Sequence, residues 1–172
     1  MAFATWMTAA TAAATTMLMA GSAMALSCLP PSIEGSFKQW SESPDTYYIV
    51  SATLTPASPL PPVPAPGLAR GPIDPSALRA VYRVQGEVVY GTSTVPIDHH
   101  IWVQVGCAGP WCGGFPSAGT SGIMGLRQRP DQTLEYYSGA CPGDLFSDPG
   151  GAVKARVQQC LTTGCVEPAP LR

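Results

Sequence analysis

The sequence predicts a small, mostly β domain: a five-stranded barrel with a short helix at each end, stapled by disulfides. Three observations carry that expectation. Runs rich in β-branched and aromatic residues recur between Gly- and Pro-containing turns. Apolar residues at helical spacing occur near the two ends of the chain, and all six cysteines lie beyond residue 27. At 172 residues there is room for one domain once the N-terminus is set aside. Five strands with two flanking helices suit a small barrel better than a sandwich.

The N-terminus reads as a leader. The first charged side chain is Glu34, and the apolar run from Met17 ends in Ala23-Met24-Ala25, an A-x-A cleavage pattern. Cleavage there gives a signal segment over residues 1–25 and a mature domain over 26–172. The basic residue that should open such a segment is missing. An uncleaved anchor needs about 20 strongly apolar residues, and Ala and Thr dilute this stretch. Met24-Ala25-Leu26-Ser27-Cys28 also loosely fits a bacterial lipobox, which would anchor the chain in the cell envelope through an acylated Cys28. That assignment leaves an odd cysteine. An even count in an exported chain, secreted or periplasmic, argues instead for three disulfides.

The elements follow in order. Ser32 is a candidate N-cap for a short helix carrying Ile33, Phe37 and Trp40 on one stripe. Ser43-Pro44-Asp45 turns into a first strand over residues 46–54. Eight of the twenty residues from 56 to 75 are proline, so this stretch cannot donate a ladder of N–H bonds. Too little mature chain precedes it to make a core, so it should be a long projecting loop within one domain. The second strand spans residues 78–90, with Gly86 as a bulge or bend. The third, 97–105, places Ile101, Val103 and Val105 on one face. Residues 121–129 make the fourth, and after a Pro130-Asp131 turn residues 133–137 make the fifth. Asp148 and Pro149 read as N-cap and first position of a closing helix with Val153, Val157, Cys160 and Leu161 as its stripe.

Charge excludes two partner classes. Only 12% of residues are charged and the net charge is −2, so there is no footprint for nucleic acid and no polybasic stretch for anionic lipid. Cys107 and Cys112 have four residues between them, where a redox dithiol needs two at a helix N-terminus. Gly113-Gly114-Phe115-Pro116 follows, which is no helix. Cys160 and Cys165 repeat the spacing. Local pairs at both places leave Cys28 to join Cys141; a long-range alternative joins Cys28 to Cys107 or Cys112, and the connectivity stays open.

No catalytic residue, cofactor or metal ligand emerges. The histidines, His99 and His100, are adjacent and on a strand point to opposite faces. Asp98, His99 and Ser121 supply the residue types of a triad without its local signature. Glu34, Glu42, Glu87 and Glu135 show no pairing suggestive of paired catalytic carboxylates and read as solvated strand faces. What remains is aromatic. Adjacent aromatics on a strand, Tyr47-Tyr48 and Tyr136-Tyr137, put one ring inside and one outside. The candidate interaction surface is Tyr47, Trp111, Phe115 and Tyr136, with the loops 56–75 and 107–115.

A helix after an early cysteine, a strand Tyr47-Tyr48-Ile49-Val50-Ser51-Ala52 and a long loop make the front half. Cys112-Gly113, Ile123-Met124-Gly125-Leu126, Tyr136-Tyr137 and Ala140-Cys141-Pro142 make the rear. This order resembles a netrin-like domain, the family that includes the tissue inhibitors of metalloproteinases. The resemblance spans roughly residues 28–145 and rests on cysteine placement and strand order. It implies an OB-fold barrel and a bond from Cys28 to Cys112 or Cys141. It also has a departure. The inhibitors chelate a protease's zinc through a free N-terminal cysteine amine in a C-x-C opening, whereas Cys28 stands alone behind Leu26-Ser27. The expected function is therefore a non-enzymatic exported binding module for a protein or small ligand, without nucleic acid, and without a membrane unless Cys28 is lipidated. The alternative is a protease inhibitor or regulatory domain acting by loop insertion, and a metal-binding or redox envelope protein comes third.

Overall fold

The computed structural model describes residues 28–141 and 143–165. The expected signal segment, residues 1–25, lies outside them. Helix α1 (Ile33–Glu42) starts where the sequence places it, because the Ser32 hydroxyl accepts the Gly35 N–H at 3.0 Å. Strands β1 (Tyr47–Pro56), β2 (Arg79–Tyr90) and β3 (Ser93–Val105) follow as an antiparallel meander. A two-stranded ribbon, β4 (Cys107–Ala108) with β5 (Trp111–Cys112), interrupts the main sheet. Strands β6 (Thr120–Gln128), β7 (Leu134–Ser138) and β8 (Leu145–Phe146) return to it, and α2 (Ala152–Thr163) closes the chain. The main sheet has six strands in the order β1-β2-β3-β7-β6-β8. β1 pairs on both edges, with β2 and β6, while β7 runs parallel to β3 and antiparallel to β6. The sheet thus folds back on itself.

Period-2 alternation then sorts side chains between two cores. Val50, Leu54, Tyr82, Val84, Val103 and Leu126 fill the inside of the curled sheet. Ile49, Val89 and Ile123 face outward and meet Ile33, Trp40 and Val157 from the helices. Each buried aliphatic side chain contributes about 1.5–3 kcal/mol through loss of water contact. Gly125 lets α1 approach: a Cβ there would stand 2.6 Å from Trp40 Cε2.

Two local expectations are corrected. The β2–β3 register passes through Gly86 without an inserted residue, so there is no bulge. Glycine is required there because a Cβ would collide with the Ser51 carbonyl oxygen on β1. α2 begins after Gly151, not at Pro149. The Asp148 carboxylate still caps it, accepting the N–H groups of Val153 (2.9 Å) and Lys154 (3.0 Å), with the turn between carrying the chain into the helix. α2 is tied to α1 by Arg156–Glu34 at 2.5 Å and to β2 by Lys154–Glu87.

The disulfides are Cys28–Cys141, Cys107–Cys112 and Cys160–Cys165. Two are local and one joins the N-terminal segment to the chain beyond β7. Among the described residues no helix is long and apolar enough to cross a membrane.

Candidate functional site

The proline-rich loop leaves β1 at Pro56 and re-enters β2 through a 3-10 turn, Pro75–Leu78. Proline cannot pair, so the ends are fixed by other donors. Ala57 N–H donates to the Val81 carbonyl at 2.8 Å, and Val81 N–H donates to Ser58 Oγ at 3.0 Å. At the far end Asp74 accepts the Ser76 N–H at 2.8 Å. The Gln104 amide donates to the carbonyls of Pro75 (2.7 Å) and Leu78 (3.3 Å) from the outer face of β3. The middle of the loop lies on the β4–β5 ribbon. Gly67 N–H donates to the Pro110 carbonyl at 3.0 Å, and the Trp111 ring packs beside Gly67, whose φ of +77° suits glycine. The two loops singled out in the sequence therefore meet.

Hollows flank that contact on both sides. One of about 400 Å³ lies between Pro72 and Ile73 of the loop, Leu78, Gly106 of the β3–β4 junction, and Tyr137. The other, about 470 Å³, lies between Val63–Pro66, the Cys112–Gly114 backbone and the exit of β7. Neither wall carries a carboxylate, amine, guanidinium or imidazole; the one titratable group is the Tyr137 phenol. Uncharged walls with backbone carbonyls can bind an apolar group but offer no acid–base pair.

The four aromatic residues of the sequence reading separate. Trp111 sits at the loop–ribbon contact, and its Nε1 is buried without an acceptor among the described residues. Phe115 turns inward and stacks on Tyr82, ring centroids 6.4 Å apart. Tyr136 is 5% exposed and belongs to the core, so it offers no surface; the outer ring is Tyr137, 48% exposed. Burial pushes the Tyr136 phenol far above its ordinary value of 10.0. Tyr47 lies apart from Trp111, Phe115 and Tyr136, on the outer face of the sheet, opposite Arg127 in the β1–β6 register.

Two of the four glutamates expected on solvated strand faces are buried instead: Glu34, 9% exposed on helix α1 and paired with Arg156, and Glu135. Glu135 is 1% exposed, and three guanidiniums converge on it: Arg127 at 2.5 Å, Arg129 at 2.7 Å and Arg79 at 3.5 Å. Arg79 in turn lies over Trp102, 4.5 Å from the ring centroid. The Arg127–Glu135 register across the Pro130-Asp131 turn was the available signal. Nothing local points to Arg79.

The triad residue types do not assemble. Asp98, Gln85, Thr53 and Ser121 occupy one cross-strand row. Strands β2 and β1 separate Asp98 from Ser121 along that row, and Asp98 is engaged by Arg83 at 2.7 and 2.6 Å. His99 points to the opposite face from Asp98 and, like His100, is exposed. Among the described residues no group of three His, Cys, Asp or Glu side chains gathers. No protein-family model matches the chain, no curated protein matches it, and no solved structure matches it.

Proposed function

We propose that this chain is a non-enzymatic, exported binding module on an OB-like, netrin-like scaffold, and that it takes an uncharged, apolar segment of its partner in the hollows beside the loop–ribbon contact. One observation carries the reading. The proline loop and the disulfide-closed ribbon are fastened together over uncharged hollows of about 400 and 470 Å³. Proline limits the loop's freedom before any ligand arrives, so little ordering entropy opposes binding. Leu68, 65% exposed near the Gly67–Pro110 contact, adds apolar surface beside the hollows. Support for the scaffold comes from the returning strand circuit and from Cys28–Cys141, one of the two bonds the resemblance implies. Three disulfides fit an oxidising compartment.

The test is an amide-resonance titration with uncharged aliphatic fragments and proline-containing peptides. Shifts should cluster at Leu68, Ile73, Gly106, Gly114 and Tyr137, and Ile73→Ser should weaken them several-fold. Shifts confined to other strands would overturn the reading. Exposed Leu68 on a tethered loop also favours, second, a protease inhibitor that inserts this loop into a cleft. Dose-dependent loss of protease activity that Leu68→Asp abolishes would select that alternative.

A further inference from the structure

A third hollow, of about 230 Å³, opens on the outer face of the sheet beside α1, and its chemistry differs from that of the loop–ribbon hollows. Three aromatic residues line it. Trp40 comes from α1, its indole laid on Gly125; Tyr47 opens β1; Tyr137 follows Glu135 by two residues on the same face of β7. Three charged groups line it as well: Arg127, Glu135 and Asp144.

Two of these charges neutralise each other. Arg127 is bonded to Glu135 at 2.5 Å and to Asp45 at 3.3 Å, and Glu135 is further held by Arg129 and Arg79. Asp144 is different. It is half-buried, and among the described residues no hydrogen bond or ion pair reaches its carboxyl. Burial, with no compensating charge, raises its pKa above the ordinary 3.8.

The choice of ligand follows from elimination. An anion would meet the Asp144 carboxylate directly. A neutral apolar group would remove the remaining water from that carboxylate and leave it unpaired. A hard metal ion would need several oxygen ligands, and Asp144 is the one carboxylate in the lining not already engaged by arginine. An organic cation suits both features: the carboxylate supplies the counter-charge, and aromatic rings attract a cation through their negative faces. The volume is below that of a drug-sized pocket and fits a head group.

We infer that this hollow binds the head group of a small organic ammonium ion, with Asp144 as its counter-ion and Trp40, Tyr47 and Tyr137 as its walls. The inference does not rest on the apolar-segment reading, although Tyr137 borders both hollows.

The test titrates the disulfide-intact protein with tetramethylammonium chloride, and separately with neopentyl alcohol as a neutral analogue of like shape, at constant ionic strength. The amide of Gly125 and the indole N–H of Trp40 are followed by NMR. Saturable shifts are expected with a dissociation constant in the millimolar range, and the alcohol should bind about tenfold more weakly. Asp144→Asn should lose about tenfold in cation affinity with its spectrum still dispersed. Gln39→Lys, which brings a tethered ammonium to the same lining, should compete and weaken binding similarly. Equal binding of cation and alcohol, cation binding unchanged in Asp144→Asn, or no saturable shift up to about 100 mM would each overturn the inference.

Discussion

The Cys28–Cys141 bond should contribute more to stability than either of the other disulfides, by an amount set by chain length. It joins residues 113 apart in sequence, whereas Cys107–Cys112 and Cys160–Cys165 each join residues 5 apart. A crosslink removes closure entropy from the unfolded chain in proportion to 1.5R times the logarithm of the loop length, plus a constant. That relation gives about 4.8 kcal/mol for the long bond and about 2 kcal/mol for each short one, a gap of about 2.8 kcal/mol. Little native burial is lost with the long bond, since Leu29 beside Cys28 is 86% exposed. The effect should therefore arise in the unfolded state. The assay is urea denaturation of three double variants, C28A/C141A, C107A/C112A and C160A/C165A. With a urea dependence of about 1–3 kcal/mol per molar, the long-bond variant should unfold about 1–3 M earlier than the other two. A C28A/C141A midpoint no lower than theirs would refute the entropy argument. Of the short pairs, only C107A/C112A should also speed proteolysis of the proline loop, because that bond closes the ribbon to which Gly67 is fastened.

Other outcomes follow from the charged groups. Glu135→Gln removes the carboxylate that three part-exposed arginines share and should cost about 1.5–3 kcal/mol in the same denaturation assay; a cost under about 0.5 kcal/mol would mean the guanidiniums find other partners. Glu34 is held below its ordinary 4.5 by its hydrogen bond to Arg156. Its contribution is then full above pH 4.5 and lost as pH falls through the lowered value. Arg156→Gln should accordingly flatten the acid limb of the stability profile, and an unchanged limb would argue against the pair. Asp144 has the opposite sign. Its raised pKa means a penalty absent below pH 3.8 that appears as pH rises through the raised value. Asp144→Asn should thus be more stable than the parent at pH 7 and equal to it near pH 3, as thermal melts at the two pH values can show.

Much of the architecture was legible because long elements repeat their signals. Ser32 with Ile33, Phe37 and Trp40 gives both a cap and a stripe, and α1 starts where they say. The proline run predicts a long loop because its prolines lack the N–H a sheet needs, but not that the loop lies on the ribbon through Gly67 instead of projecting. The ribbon and β8 were not legible, because two-residue strands are too short to show alternation. The Tyr136-Tyr137 pair shows the limit of period 2. Alternation guarantees that one ring is inside, but the phase comes from β7 docking beside β3 and β6, which sequence spacing does not encode. The same holds at Glu135, whose partners Arg127 and Arg129 are neighbours across a turn while Arg79 arrives from β2.

Two carboxylates on the same side of the fold are treated in opposite ways, and the contrast bears on function. Glu135 is withdrawn from water and matched by three guanidiniums, so its charge is part of what fixes β6, β7 and the start of β2 together. Asp144 borders the same hollow and is also partly withdrawn, yet no cation in the lining is free to answer it. If burial of charge in this domain served the fold alone, Asp144 should have been given a partner or replaced by an amide, either of which would raise stability at neutral pH. A carboxylate kept at a cost in a small aromatic hollow is what a binding site for a cation requires, because the ligand supplies the missing charge. Tyr137 borders this hollow and the larger one under the proline loop, since its ring lies against Gly106. A ligand that reorients Tyr137 in one hollow must change affinity in the other, and the two effects must be equal in free energy.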